Sequence, residues 1–168
     1  MERDIYDEDH EAFRDVVKEF IKRHVTNDVR ERWDAEGEVD RGTMLAAGEA
    51  GLIGLSVPEE FGGAGMLQDY RFRAIVNEEV IAAGAGSLAG AFGIQDDLAV
   101  PYLVHMGTQE QKEKYLPRMA TGEIIGALAM TEPGAGSDLR GISTTAKKVD
   151  GGYVVNGAKT FNSSGASA

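Results

Sequence analysis

The period of the apolar residues changes at Gly122, and that change limits the fold more than any single motif does. Upstream, apolar side chains recur every three or four positions: Phe13, Val16, Val17, Phe20, Ile21, Val25 and Val29 draw one stripe between charged residues. That spacing is one face of an amphipathic helix and predicts a helix over 10–33 that closes near Gly37. A second helix is expected over 41–50, closed by Gly51. A third is capped by Asp69 and carries Tyr70, Phe72, Ile75, Val76 and Val80. Thr108-Gln109-Glu110-Gln111 has the form of a capping box, so a last helix starts there and finishes near Thr121-Gly122. Downstream, residues 124–130 are an apolar run of strand character and 142–149 a weaker one. Asp150-Gly151-Gly152 signals a hairpin into Tyr153-Val154-Val155, and Asn156-Gly157 another turn before Lys159-Thr160-Phe161. The pattern reads as α+β. An α-helical bundle domain covers 1–122, and the first strands of an antiparallel, barrel-like middle domain cover 123–168. These strands are too few to close a sheet, so the chain is expected to stop inside that second domain.

The segment over 86–106 is helical in pattern but dense in small residues, with Gly86, Ala89, Gly90, Ala91 and Gly93 in its first half. An interior glycine costs a helix about 0.5–1 kcal/mol relative to alanine, so this density needs a reason. Two reasons stand side by side: close packing of helices, or missing side chains that leave a slot for a ligand.

Composition removes several function classes. Cysteine is absent, which excludes disulfides, thiolate catalysis and cysteine-based zinc sites. The formal net charge is −11, the reverse of what a nucleic-acid surface needs to displace counterions. The first nine residues are acidic where a signal or transit peptide would be basic and then apolar. No apolar run approaches the roughly 18 residues of a membrane span. A cytoplasmic location is the expectation. His10, His24 and His105 have no metal-ligand spacing and are expected at the surface or in helix packing.

The stretch Thr131-Glu132-Pro133-Gly134-Ala135-Gly136-Ser137-Asp138 follows the apolar run. A dinucleotide fingerprint would need glycine at 139, where Leu139 stands. A triphosphate loop built on Gly136 and Gly141 would need Lys-Ser/Thr next, where Ile142-Ser143 stands. Both fail. What remains is a turn with permissive Gly134 and Gly136, a rigid Pro133 and hydroxyls at Thr131 and Ser137. Bare backbone there can approach the oxygens of a ligand, although a plain β-turn uses the same residues.

These residues resemble the signature of the acyl-CoA dehydrogenase family. Three further segments agree in order: Pro58-Glu59-Glu60-Phe61-Gly62-Gly63-Ala64-Gly65, Gly107-Thr108-Gln109-Glu110-Gln111-Lys112-Glu113-Lys114-Tyr115-Leu116-Pro117, and Asn156-Gly157-Ala158-Lys159-Thr160-Phe161. The resemblance implies an N-terminal helical domain, a middle β-domain and a C-terminal helical bundle, the last missing here. It also implies assembly as homotetramers. The implied chemistry, part of fatty acid β-oxidation, is FAD-dependent α,β-dehydrogenation of an acyl-CoA, with electrons leaving to an electron-transfer flavoprotein. Carried over by position, Leu128, Met130 and Thr131 line the flavin ring, and Gly136 and Ser137 meet the FAD pyrophosphate and the substrate's pantetheine. Phe161 and Ser163 stand beside the flavin, and Gly90, Ala91, Ile94 and Leu98 line the acyl pocket. The small residues of that helix then favour the slot and point to a long or bulky acyl group. Leu128 stands where an aromatic is common in the family, and Phe161-Asn162-Ser163-Ser164 where aromatic-Ile-Thr-Asn is. The family's glutamate base is expected downstream of Ala168. Glu132 looks like a loop-stabilising carboxylate instead. The 168 residues alone are therefore expected to show no turnover and to hold FAD poorly. An acyl-CoA oxidase-like flavoenzyme of the same fold and a non-catalytic helical interaction module are the alternatives.

Overall fold

The computed structural model describes residues 4–168; Met1, Glu2 and Arg3, the start of the acidic lead, lie outside the described residues. Helix α1 spans Glu8–His24. Asp7 caps it in a reciprocal box with His10, acidic residues fill its first turn, and Lys22, Arg23 and His24 fill its last. The single helix expected over 10–33 is in fact two. Thr26 is extended, at φ −74° and ψ 166°, and its hydroxyl accepts from Val29 N, starting α2 (Asn27–Glu36). The apolar stripe runs through that break, because a local cap interrupts the backbone without interrupting burial. Gly37 closes α2 at φ 74°. Helix α3 (Arg41–Glu49) begins at Asp40 and α4 (Tyr70–Ala82) at Asp69, each capped by the aspartate side chain.

Helix α5 (Gly86–Gly93) continues without interruption through a π-helical turn (Ile94–Ala99) into α6 (Val100–Met106). Helix α7 (Gln109–Ala120) has the expected capping box, with Thr108 accepting from Gln111 N while the Gln111 side chain accepts from Thr108 N. The helices enclose one core that includes Val17, Phe20, Trp33, Met44, Ile75, Val80, Leu88 and Phe92. A smaller one joins Val57, Val100, Leu116 and Met119. The histidines are packing or surface residues: His10 is buried and stacks on Phe72 at 4.3 Å, His24 stacks on Phe20 at 4.9 Å, and His105 is exposed.

After Gly122, at φ 75°, the chain leaves the helices. Strands β1 (Thr145–Val149) and β2 (Gly152–Asn156) pair antiparallel, with Ala146 opposite Val155 and Lys148 opposite Tyr153. Both strands are exposed along their length. The strands expected over 124–130 and 159–161 do not form. Residues 124–126 satisfy their backbone against helices instead of a ladder, and one backbone bond, Thr160 N to Thr131 O at 2.9 Å, replaces the third strand. The α+β reading stands: a helical domain followed by a short two-stranded antiparallel sheet. No helix among the described residues is long and apolar enough to cross a membrane.

Candidate functional site

The segment that carries Leu128, Met130 and Thr131 is anchored at its start by the π turn. Gln95, fully buried there, donates from Nε2 to Met119 O at 2.8 Å and to Ile124 O at 2.9 Å. Its Oε1 accepts from Gly126 N at 2.8 Å. Gly126 fits because a Cβ there would stand 2.4 Å from the Ala99 Cβ. The next residue, Asp96, is also fully buried, and its Oδ1 accepts from Gly54 N at 3.0 Å. Burial pushes its carboxyl up to about 6, against the charge of Arg73 and the Gly54 hydrogen bond, which pull it down.

The motif loop is a tight reversal. Glu132 and Ala135 exchange backbone hydrogen bonds at 2.9 and 3.1 Å, which puts Pro133 and Gly134 at the corners. Neither Gly134 nor Gly136 is among the glycines at positive φ, so the conformational freedom expected of them is not what this turn uses. What they provide is space: a Cβ at either would meet nothing within 4 Å. Glu132 is 5% exposed and turned inward. Its Oε2 accepts from the Ser143 amide and hydroxyl, both at 2.8 Å, and its Oε1 from the Thr144 amide at 3.0 Å, with Lys159 Nζ 2.9 Å away. Bonds from Thr144, Ser143 and Lys159 hold this carboxyl well below the usual range. It is a structural carboxylate.

The chain returns to this loop from the hairpin. Lys159 Nζ donates to Met130 O at 2.9 Å, and the Thr160–Thr131 bond lies beside it. Met130 and Thr131 thereby stand next to Thr160 and Phe161. Met130 is 44% exposed, and Phe161, at φ 55°, is 90% exposed. Residues 162–167 then run back to the helical domain, where Ser167 Oγ donates to Glu38 at 3.1 Å. They cover a cavity of about 330 Å³ whose other wall includes Met44, Ser87, Gly90, Ala91 and Ile125.

Of the residues read from sequence, Gly90, Ala91 and Ser163 line this one cavity. Met130, Thr131 and Phe161 meet at the junction above. Gly136 and Ser137 are exposed on the motif loop, and Leu128 is half-buried on the segment before it. Ile94 and Leu98 lie in the π turn and do not line the cavity; Leu98 is 38% exposed. A Cβ on Gly86 or Gly90 would meet nothing within 4 Å, so packing does not require glycine at either. Sequence reasoning missed Gln95, Gly126 and Lys159. A glutamine inside an apolar helix was the one signal present for the first.

Three comparisons bear on this arrangement. Residues 7–123 match the family model "Acyl-CoA dehydrogenase, N-terminal domain" and 127–168 match "Acyl-CoA dehydrogenase, middle domain". The chain belongs to the acyl-CoA dehydrogenase family. It is 39% identical over 163 residues to the long-chain specific acyl-CoA dehydrogenase of Rattus norvegicus, covering 97% of this chain and 37% of that protein. To the isovaleryl-CoA dehydrogenase of Arabidopsis thaliana it is 40% identical over 166 residues, covering 98% and 40%. The structure superposes on an acyl-CoA dehydrogenase of Geobacillus kaustophilus with a TM-score of 0.90 at 38% identity, covering 99% of this chain and 43% of that one. A Bacillus anthracis acyl-CoA dehydrogenase complexed with FAD gives 0.84 at 34% identity, covering 96% and 28%. The chain thus spans less than half the length of each of these relatives.

The residues present fit part of an FAD. Apolar surface of Met130 and Phe161 is left uncovered beside a hydroxyl at Thr131, as a flat ring system with polar edges requires. The open backbone at Gly136 and the hydroxyl of Ser137 lie on the adjoining loop, where phosphate oxygens can be met without a Cβ in the way. Among the described residues no cluster of histidine and carboxylate side chains has the form of a metal site.

Proposed function

We propose that this chain forms one side of the flavin and acyl-CoA site of an FAD-dependent dehydrogenase that introduces an α,β double bond into an acyl-CoA. The observation that carries the reading is the Thr131–Thr160 hydrogen bond at 2.9 Å, which joins the motif segment to the returning segment whose next residues, 162–167, line the cavity at Gly90 and Ala91. Bound FAD supplies the acceptor for the hydride that leaves Cβ. The chain's own part is to hold and orient. Leu128, Met130 and Phe161 present apolar surface to the ring, and the Thr131 hydroxyl bonds its polar edge. Ser163 stands beside the flavin, and Gly136 and Ser137 take phosphate and pantetheine oxygens. Removal of the Cα proton needs a carboxylate with a free oxygen, and Glu132 has none to offer. The family resemblance implies a glutamate outside these residues for that role.

Two relatives named for different acyl groups match this chain at 39% and 40%, so identity does not rank their substrates. The open wall at Gly90 favours a long or bulky acyl group. Electron-transfer flavoprotein as acceptor, a homotetramer and a place in fatty acid β-oxidation follow from the family resemblance. The reading is tested in the complete gene product with Thr131→Val and Ser137→Ala. Both are expected to retain FAD more weakly than wild type on gel filtration, whereas Leu139→Ala, on the exposed side of the loop, retains it fully. Equal retention by all four proteins contradicts the assignment.

A further inference from the structure

Residues 124–130 lie in no helix or strand, so a ladder does not determine where Leu128, Met130 and Thr131 stand. Gln95 meets the start of that segment with a complete set of bonds. A carboxamide offers two N–H donors and one carbonyl acceptor. Here the donors serve Met119 O and Ile124 O, and the acceptor serves Gly126 N. Glutamate cannot supply two donors, and an apolar residue takes this partner from the part-buried Ile124 O and Gly126 N, while Met119 O keeps the Gly122 amide. Ala99, four residues further along the rod, closes the fit against Gly126. The π turn carries both residues, so the segment is registered against one rigid element.

We propose that Gln95 is a positioning residue for the site. By locking residues 124–126 to the π turn it sets where Leu128, Met130 and Thr131 stand. Through the Thr131–Thr160 bond it also sets where Phe161 and Ser163 stand. Its meaning for catalysis rests on the proposed function; its geometric content does not.

The experiment is backbone amide hydrogen exchange on the 168-residue chain. Wild type is compared with Gln95→Met, with Gly126→Ala, and with the double variant Gly126→Ala/Ala99→Gly, which removes the nearest atom that a new Cβ would meet and leaves the flexible end of Met119. The Thr160 amide, more than 30 residues from either substitution, is the reporter. Each single variant is expected to exchange it about tenfold faster or more, the scale set by losing a buried hydrogen bond. Val80 and Leu88, in the helical core, keep their rates, and the double variant restores Thr160. Should Gln95→Met fail to fold, the Gly126 pair decides alone. An unchanged Thr160 rate in the folded single variants overturns the proposal. So does a uniform acceleration of every amide, which is ordinary destabilisation. A second readout, the visible absorption maximum of FAD in the complete gene product, is expected to shift in the single variants and return in the double. If wild type takes up no FAD, the proposed function fails while the Thr160 rates still decide this proposal.

Discussion

Lys159 Nζ lies 2.9 Å from Glu132 Oε1, and this ion pair, with Glu132 almost wholly inside, closes the motif loop onto the segment that returns from the hairpin. Glu132→Gln keeps the shape and removes the charge that Lys159 and the Ser143 and Thr144 donors face. Its expected result is a lower thermal midpoint by circular dichroism and faster proteolysis within 131–144, with the helices intact. The carboxyl is held below its ordinary value of 4.5. Its contribution is therefore present above that value and is lost as pH falls below it. The gap between wild type and Glu132→Gln should be full at neutral pH and narrow in acid.

Asp40 does for α3 what Glu132 does for the loop. It accepts from Trp33 Nε1 at 2.8 Å, from the Thr43 amide and hydroxyl at 3.0 Å, and from Arg32 at 2.8 Å. Burial pushes its carboxyl up, but the bonds from Trp33, Thr43 and Arg32 outweigh burial and hold it at about 2. Asp40→Ala is expected to cost about 1–2 kcal/mol in urea unfolding at neutral pH, the upper range for an N-cap. That cost is present above the ordinary value of 3.8 and declines as pH falls toward 2.

Asp96 runs the other way. Its carboxyl is raised from 3.8 to about 6, so the neutral form suits the fold. The stability it contributes is complete below 3.8 and is lost as pH rises through about 6. Asp96→Asn keeps an acceptor for Gly54 N and cannot ionise. Urea midpoints measured against pH are expected to fall across that window in wild type and to stay flatter in the variant. Parallel profiles contradict the assignment of Asp96 as the titrating group.

Two glycines separate packing from access. A Cβ at Gly48 would stand 2.2 Å from the Thr121 carbonyl oxygen, where backbone cannot yield. Gly48→Ala is expected to destabilise by about 1–3 kcal/mol, as overpacking does. At Gly90 the same atom meets nothing, so Gly90→Ala is expected to stabilise α5 by up to about 1 kcal/mol. In the complete gene product Gly90→Ala should also raise KM for the longest acyl-CoA accepted while leaving short ones unchanged.

Helix caps made much of the helical domain legible from sequence: Asp69 and the Thr108 box place two helix starts correctly because a cap is a local device. The break at Thr26 was hidden because its neighbours keep the apolar period on both sides. The run 124–130 forms no strand, and its partner is a side chain some 30 residues earlier. No local pattern announces such a pairing. The same limit applied at the site. The resemblance named Gly90, Ala91, Thr131 and Ser163, whereas Gln95, Lys159 and Gly126 act through contacts that exist only once the chain is folded.

Flavin bleaching tests the central claim most directly. The complete gene product, purified and kept anaerobic, is mixed with acyl-CoAs of graded length while the visible flavin absorbance is followed. The account predicts a yellow protein that bleaches on adding a long or bulky acyl-CoA, and not on adding free CoA. A colourless protein that takes up no FAD, or a yellow one that no acyl-CoA bleaches, contradicts it.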